Sequence, residues 1–134
     1  MKLSSKGRYA VMALADIARF EPTNPIPLRD ISLRQGISLV YLEQLFFKLK
    51  KNKIVLSVRG KNGGYVLNKS AKDIKISEVF LAVEEKVKTI GCEKHSKKGC
   101  NGKSSKCITH NLWDELENYI NDFFEKKTLK DLIN

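Results

Sequence analysis

The chain has 134 residues, a length that suits one compact domain or one small domain with an arm. Its 42% hydrophobic and 30% charged content excludes a wholly disordered polyelectrolyte and allows an ordinary core. The formal net charge is +10, and it is unevenly placed: residues 1–69 carry 13 basic and 4 acidic groups, residues 70–134 carry 12 and 11. A polyanion is therefore the expected partner of the first half, and the second half is expected to do something else. No apolar run approaches the length of a spanning helix, and Met1 to Ala10 is interrupted by Lys2, Lys6, Gly7 and Arg8, which leaves no signal-peptide core. A cytoplasmic location without a membrane partner is expected.

Ser4 to Phe20 places Tyr9, Ala10, Met12, Ala13, Leu14, Ile17 and Phe20 at helical spacing and predicts one mostly buried helix, ended by Glu21-Pro22-Thr23-Asn24-Pro25. Pro27 suits the start of a short helix in which Leu28, Ile31 and Leu33 point inward up to Gly36. Ser38 is placed to cap a third helix running to about Lys51, with Leu42, Leu45, Phe46 and Leu49 as its inward stripe. Two short helices joined by a turn at Gly36 make a helix-turn-helix candidate. Ile54 to Val58 reads as a strand, Arg59 to Gly64 as a basic glycine-rich turn, and Tyr65 to Leu67 as the returning strand. The order of helix, helix, helix and hairpin is that of a winged helix.

Beyond Lys69, Ser77 is placed to cap a short helix containing Val79, Phe80, Ala82 and Val83. Periodicity then lapses from about Lys88 to Lys106. Thr109 to Lys127 regains a helical rhythm rich in aromatic residues, and Trp113, Leu116, Ile120 and Phe123 form a stripe expected to meet a second copy of the chain. Thr128 and Asp131 have capping-box spacing for a short terminal helix. The expected fold class is mainly α with a small β-hairpin wing: a winged helix-turn-helix over residues 1–69, followed by a sensor loop and dimerisation region over residues 70–134.

In a helix-turn-helix the second helix enters the major groove while the first crosses the backbone. Ser38, Tyr41 and Gln44 share one edge of that helix, with Val40, Glu43 and Phe47 on the adjacent edge. Gln44 suits a bidentate pair with adenine, Glu43 accepts from cytosine N4 or repels phosphate in a poor register, and Arg59 and Lys61 at the hairpin tip suit a narrow minor groove. Lys2, Lys6, Arg8, Lys48, Lys50, Lys51 and Lys53 are candidate phosphate contacts, with solvated charge as the alternative for each. Gly60-Lys61-Asn62-Gly63-Gly64 lacks the spacing of a phosphate-binding loop, and no nucleotide fingerprint or convincing general acid-base pair is present, so no enzyme is expected.

Cys92, Cys100 and Cys107 fall within one short window, and their odd number precludes a complete set of intrachain disulfides. With His110 they read Cys-x7-Cys-x6-Cys-x2-His, three thiolates and an imidazole able to surround zinc or to divide between the irons of a two-iron cluster. His95 competes with His110 for the fourth place; His110 has the better context because a helix would fix it. Composition alone does not choose the metal.

The opening Met1-Lys2-Leu3-Ser4-Ser5-Lys6-Gly7-Arg8-Tyr9-Ala10-Val11 strongly resembles the bacterial iron-sulfur cluster assembly regulators of the IscR family. So do Gln35-Gly36-Ile37-Ser38-Leu39-Val40-Tyr41-Leu42-Glu43-Gln44-Leu45-Phe46, Val58-Arg59-Gly60-Lys61-Asn62-Gly63-Gly64-Tyr65 and Cys107-Ile108-Thr109-His110-Asn111-Leu112-Trp113. The resemblance covers essentially the whole chain. It implies a homodimeric winged-helix transcription factor that binds double-stranded DNA, with one [2Fe-2S] cluster per chain on Cys92, Cys100, Cys107 and His110 and zinc as the alternative metal. It further implies a holo form that represses cluster-assembly genes and an apo form that still binds another class of sites. Glu43 takes the role of apo-state discrimination, and Gln44 and Arg59 take base or groove contacts; an iron-sulfur assembly scaffold is a candidate cluster donor. Three departures stand out: the gaps between cysteines are longer than in the best-known form, Val40 stands where a small hydroxyl residue is expected, and Lys61-Asn62 replaces a proline-glycine wing tip.

Overall fold

The computed structural model describes residues 3–20, 24–87 and 108–133. Helix α1 spans Ser5–Phe20, α2 Leu28–Gln35 and α3 Leu39–Lys51; strands β1 (Val55–Val58) and β2 (Gly64–Leu67) follow, then α4 (Ile76–Ala82) and α5 (His110–Lys126). Single 3-10 turns at Ala71–Asp73 and Leu129–Leu132 precede α4 and follow α5. This is a mainly helical fold with an antiparallel wing, in the predicted order.

Helix α1 is the axis of the core. Ala10, Ala13, Leu14 and Ile17 repeat at spacings of 3, 1 and 3, which aligns them along one face, and all four are fully buried. Complete burial of an aliphatic side chain the size of Leu14 or Ile17 contributes about 1.5–3 kcal/mol. Against this face pack Ile31 of α2, the stripe Leu42, Leu45, Phe46 and Leu49 of α3, and Val79 of α4. Leu129 from the terminal 3-10 turn joins the same buried cluster, so the core runs without a break across residue 69.

The turn between α2 and α3 is closed by local chemistry. Gly36 adopts a left-handed conformation (φ 68°) and its N–H donates to the Ser32 carbonyl at 2.9 Å, ending α2. The Ser38 hydroxyl then accepts from Tyr41 N–H at 3.4 Å and caps α3, as its position predicts. Leu33, predicted to face inward, is instead 78% exposed. It lies two residues from buried Ile31, a step of roughly 200° around a helix, so both cannot share a face.

The wing pairs Val55 with Leu67 through Val58 with Gly64, and an added bridge joins Tyr65 to Ile26: Ile26 N–H donates to Tyr65 O at 3.0 Å and Tyr65 N–H to Ile26 O at 2.9 Å. Gly64 permits this approach, since a Cβ there would lie 2.4 Å from the Ile26 carbonyl carbon. Phe46 meets Tyr65 edge-on at 4.9 Å and fixes the wing to α3.

Helix α4 begins at Ile76, one residue before the predicted cap. Ile76 N–H donates to the Lys127 carbonyl at 2.9 Å and Val79 N–H to the Lys75 carbonyl at 3.3 Å, which leaves no donor for a Ser77 cap to accept from. The Ser77 hydroxyl donates to Glu125 on α5 at 2.8 Å instead. Thr128 and Asp131 do form the predicted reciprocal cap, with Thr128 N–H donating to Asp131 Oδ2 at 2.9 Å.

Candidate nucleic-acid interface and ligand residues

Because Leu42, Leu45, Phe46 and Leu49 are committed to the core, α3 turns Val40, Glu43, Gln44 and Phe47 outward. Val40 is 64% and Phe47 70% exposed. With Lys6 of α1 and Lys48 they line one shallow groove. Phe47 was not among the predicted contacts; its only signal in the sequence is an aromatic residue off the inward stripe of a helix next to a basic run.

Two of the predicted base-facing residues have other work. The Ser38 hydroxyl is occupied by the cap, and half-buried Tyr41 turns toward α1. Its hydroxyl lies 3.0 Å from Ser5 Oγ, and its ring meets Tyr9 edge-on at 5.9 Å. Tyr41 thus fixes the recognition helix to the first turn of α1. Lys48, a predicted phosphate contact, pairs with Glu84 at 3.2 Å. Arg8 is exposed with its guanidinium 5.7 Å from the Tyr9 ring centroid. Lys2 lies outside the described residues.

At the wing tip Arg59 and Lys61 are both exposed. Gly60 has φ 113° and accepts from Gly63 N–H at 3.0 Å; a Cβ on Gly63 would sit 2.2 Å from Val58 O. The glycines therefore set the tight tip that carries the two cations, while Gln44 and Glu43 project from the neighbouring helix.

Among the described residues the buried polar or charged side chains are Asp16, Glu85 and His110. Asp16 binds Arg34 through two hydrogen bonds, at 2.6 and 3.0 Å, and accepts a third from Gln35 at 2.8 Å. Burial pushes its carboxyl upward, but Arg34 and Gln35 outweigh that and hold it below the ordinary aspartate value. This network clamps α1 to α2, the first helix of the helix-turn-helix. His110, the first residue of α5, is 7% exposed. Cys92, His95, Cys100 and Cys107 lie outside the described residues, and among the described residues no cluster of three His, Cys, Asp or Glu is arranged to hold a metal.

A third helix turned outward beside a basic glycine tip, both braced on one core, defines a winged-helix DNA-binding protein. A family model described as Rrf2, iron-dependent transcriptional regulator, matches residues 3–134, and the chain belongs to that family. Among its relatives, the HTH-type transcriptional regulator IscR of Pectobacterium carotovorum is 51% identical and that of Klebsiella pneumoniae 52% identical, each over all 134 residues and 80% of the relative. Of solved structures, that of IscR from T. potens has a TM-score of 0.78 and 32% identity, covering 99% of this chain and 86% of that one. The global cysteine regulator CymR of B. subtilis has a TM-score of 0.83 and 26% identity, over 99% and 96%. The protein is accordingly a DNA-binding transcriptional regulator and not an enzyme. Among the described residues no helix is long and apolar enough to cross a membrane.

Proposed function

We propose that the protein is a homodimeric sensor of iron-sulfur status that carries one [2Fe-2S] cluster per chain and regulates iron-sulfur assembly genes. The observation that carries this reading is the joint presence of the outward Glu43–Gln44 face and of His110 at the start of α5, three residues after Cys107, in a chain 51% identical to an IscR. Residues 1–69 read DNA and residues 70–134 sense and dimerise.

The donor set fits the group. Three thiolates and one neutral imidazole match a two-iron cluster, and the α5 backbone holds His110 at low exposure, which limits water at one ligand. When bound, the cluster supplies a tie among Cys92, Cys100, Cys107 and His110 that exists only when iron and sulfide are available. Gln44 contacts an adenine edge, and exposed Val40 meets a thymine methyl where a hydroxyl residue would make a polar contact. Glu43 sets the site preference of the apo protein, because a carboxylate without a base donor is costly in the groove. Arg59 and Lys61 enter the minor groove, and Lys2, Lys6, Arg8 and Lys48 contact phosphates. An assembly scaffold is the proposed source of the cluster.

Anaerobic reconstitution with iron and sulfide, followed by absorption spectroscopy and metal analysis, tests the cofactor. Visible charge-transfer bands with two irons and two sulfides per chain are expected. One zinc per chain without such bands would establish a zinc-stabilised regulator instead.

A further inference from the structure

The first turn of α1 contains no acidic residue, although the partial positive charge of a helix N-terminus favours one. A carboxylate is delivered from elsewhere. Glu85 Oε1 accepts from Ser4 Oγ at 2.5 Å and from Gly7 N–H at 3.1 Å, 78 residues away from the latter. The fit is close: a Cβ on Gly7 would lie 2.8 Å from Glu85 Cγ and 2.9 Å from Phe80 Cε1. Glu85 N–H in turn donates to Phe80 O at 2.8 Å, which ties this carboxylate to the end of α4.

The neighbouring Glu84 makes the chain bend. Its φ of 61° is the left-handed turn that closes α4, with Glu84 N–H donating to the Leu81 carbonyl at 3.2 Å and Glu85 N–H to that of Phe80. Two contacts reach this turn from other helices: Lys6 Nζ donates to the Glu84 carbonyl at 3.2 Å, and Lys48 of the recognition helix pairs with its carboxylate at 3.2 Å. Residues 84 and 85 therefore grip the first turn of α1 and touch α3 directly. From that turn a further link leads on, since Ser5 Oγ lies 3.0 Å from the hydroxyl of Tyr41, between Val40 and Glu43 in α3.

We infer that Glu84 and Glu85 form an elbow that positions the first turn of α1, and through Ser5 and Tyr41 the recognition helix, according to the state of the sensing half. Glu85 stands seven residues before Cys92 in the chain, so the first proposed ligand follows closely on the carboxylate that caps α1. Neither glutamate touches DNA in this scheme; both are positioning residues. The inference rests on the proposed cluster reading and adds the side chains that carry its effect to the DNA surface. Such coupling needs the sensing state to favour one of two arrangements of a shared contact, and the Glu85 carboxylate is that contact.

The test uses full-length dimer, reconstituted or cluster-free, with a duplex selected from a random pool by the reconstituted wild type and a scrambled control at fixed salt. The wild type is expected to prefer the selected duplex at least about tenfold more in the reconstituted form, a modest coupling by allosteric standards. Glu85→Ala should bring that ratio close to unity while the cluster absorption stays the same. Glu85→Gln keeps an oxygen where Oε1 stands and should restore most of the ratio. In cluster-free protein, Glu85→Ala should also accelerate amide exchange in the first turn of α1, and Glu85→Gln should not. An unchanged ratio in Glu85→Ala, alongside a normal wild-type ratio, overturns the elbow and leaves the cluster reading intact. Equal ratios for reconstituted and cluster-free wild type overturn both. Should Glu85→Ala not fold, Ser5→Ala cuts the far end of the same link: a narrowed ratio supports the elbow, and an unchanged one overturns it.

Discussion

Asp16 shows how one buried charge governs the geometry on which DNA reading depends. Its side chain is fully buried, and Arg34, itself partly exposed, reaches it across the α1–α2 contact while also lying 4.6 Å from the Phe20 ring centroid. Removing one partner strands the other, so Asp16→Ala should destabilise the fold by about 3 kcal/mol, measured by urea denaturation at neutral pH. The sign of the pH effect follows from the direction of the shift. Because the folded carboxyl is held below the ordinary value of 3.8, its contribution is complete above that value and is lost as pH falls through the lower, folded one. Melting curves taken from pH 7 down to pH 3 should therefore show the gap between wild type and Asp16→Ala constant at first and closing only below about pH 4. On the DNA face, Gln44→Ala should cost about 1–3 kcal/mol of discrimination at one adenine step. Equal losses on matched and scrambled duplexes would make Gln44 a scaffold residue.

At the scale of elements, the wing depends on a contact that no local rule contains. Gly64 lets the Ile26 backbone bridge to Tyr65, and Gly64→Ala places a methyl group 2.4 Å from a carbonyl carbon that has no room to retreat. Overpacking of this kind costs about 1–3 kcal/mol, so the variant should unfold at lower urea and lose affinity for every duplex tested, with sequence preference from α3 retained. The same contrast separates what the chain reveals in its sequence from what it does not. The Ser38 cap, the Gly36 turn and the Thr128–Asp131 box each close within five residues, and each was legible from residue type and spacing. Leu33 faces outward because the helical period sets it roughly 200° from buried Ile31, so apolar character alone gave the wrong face. Ser77 lies inside the helix rather than at its cap because the Lys75 carbonyl already accepts the Val79 N–H that a Ser77 cap would have taken. The outward side of α3 was legible as a set, but the inward turn of Tyr41 and the capping of α1 by Glu85 depend on partners 36 and 78 residues away. The ligand set rests on cysteine spacing together with the family resemblance, and its three cysteines lie outside the described residues.

For the molecule as a whole, the exposed apolar side of α5 decides how two chains meet. The predicted stripe of Trp113, Leu116, Ile120 and Phe123 is split: Ile120 packs against its own chain's core, and half-buried Trp113 donates from Nε1 to Thr109 Oγ1 at 3.1 Å. Phe124 is likewise held inward by Phe80, 4.7 Å between centroids. The exposed apolar line is instead Leu112, Leu116, Tyr119 and Phe123, at spacings of 4, 3 and 4, one side of the helix over three turns. Two such lines laid together would bury four large side chains per chain, two of them aromatic, each aromatic worth about 150–250 Å². Isologous pairing of α5 also places two recognition helices at a fixed separation, which a two-fold symmetric operator requires. Leu116→Glu puts a carboxylate in the centre of that line without touching the core of its own chain. Sedimentation at micromolar concentration should find a dimer for the wild type and a folded monomer for Leu116→Glu. The monomer should then bind a half-site with a salt slope about half that of the dimer on the full operator, because half of the phosphate contacts remain. A Leu116→Glu protein that stayed dimeric would move the interface off this face, and an unchanged salt slope would show that one wing and one recognition helix already make all the contacts.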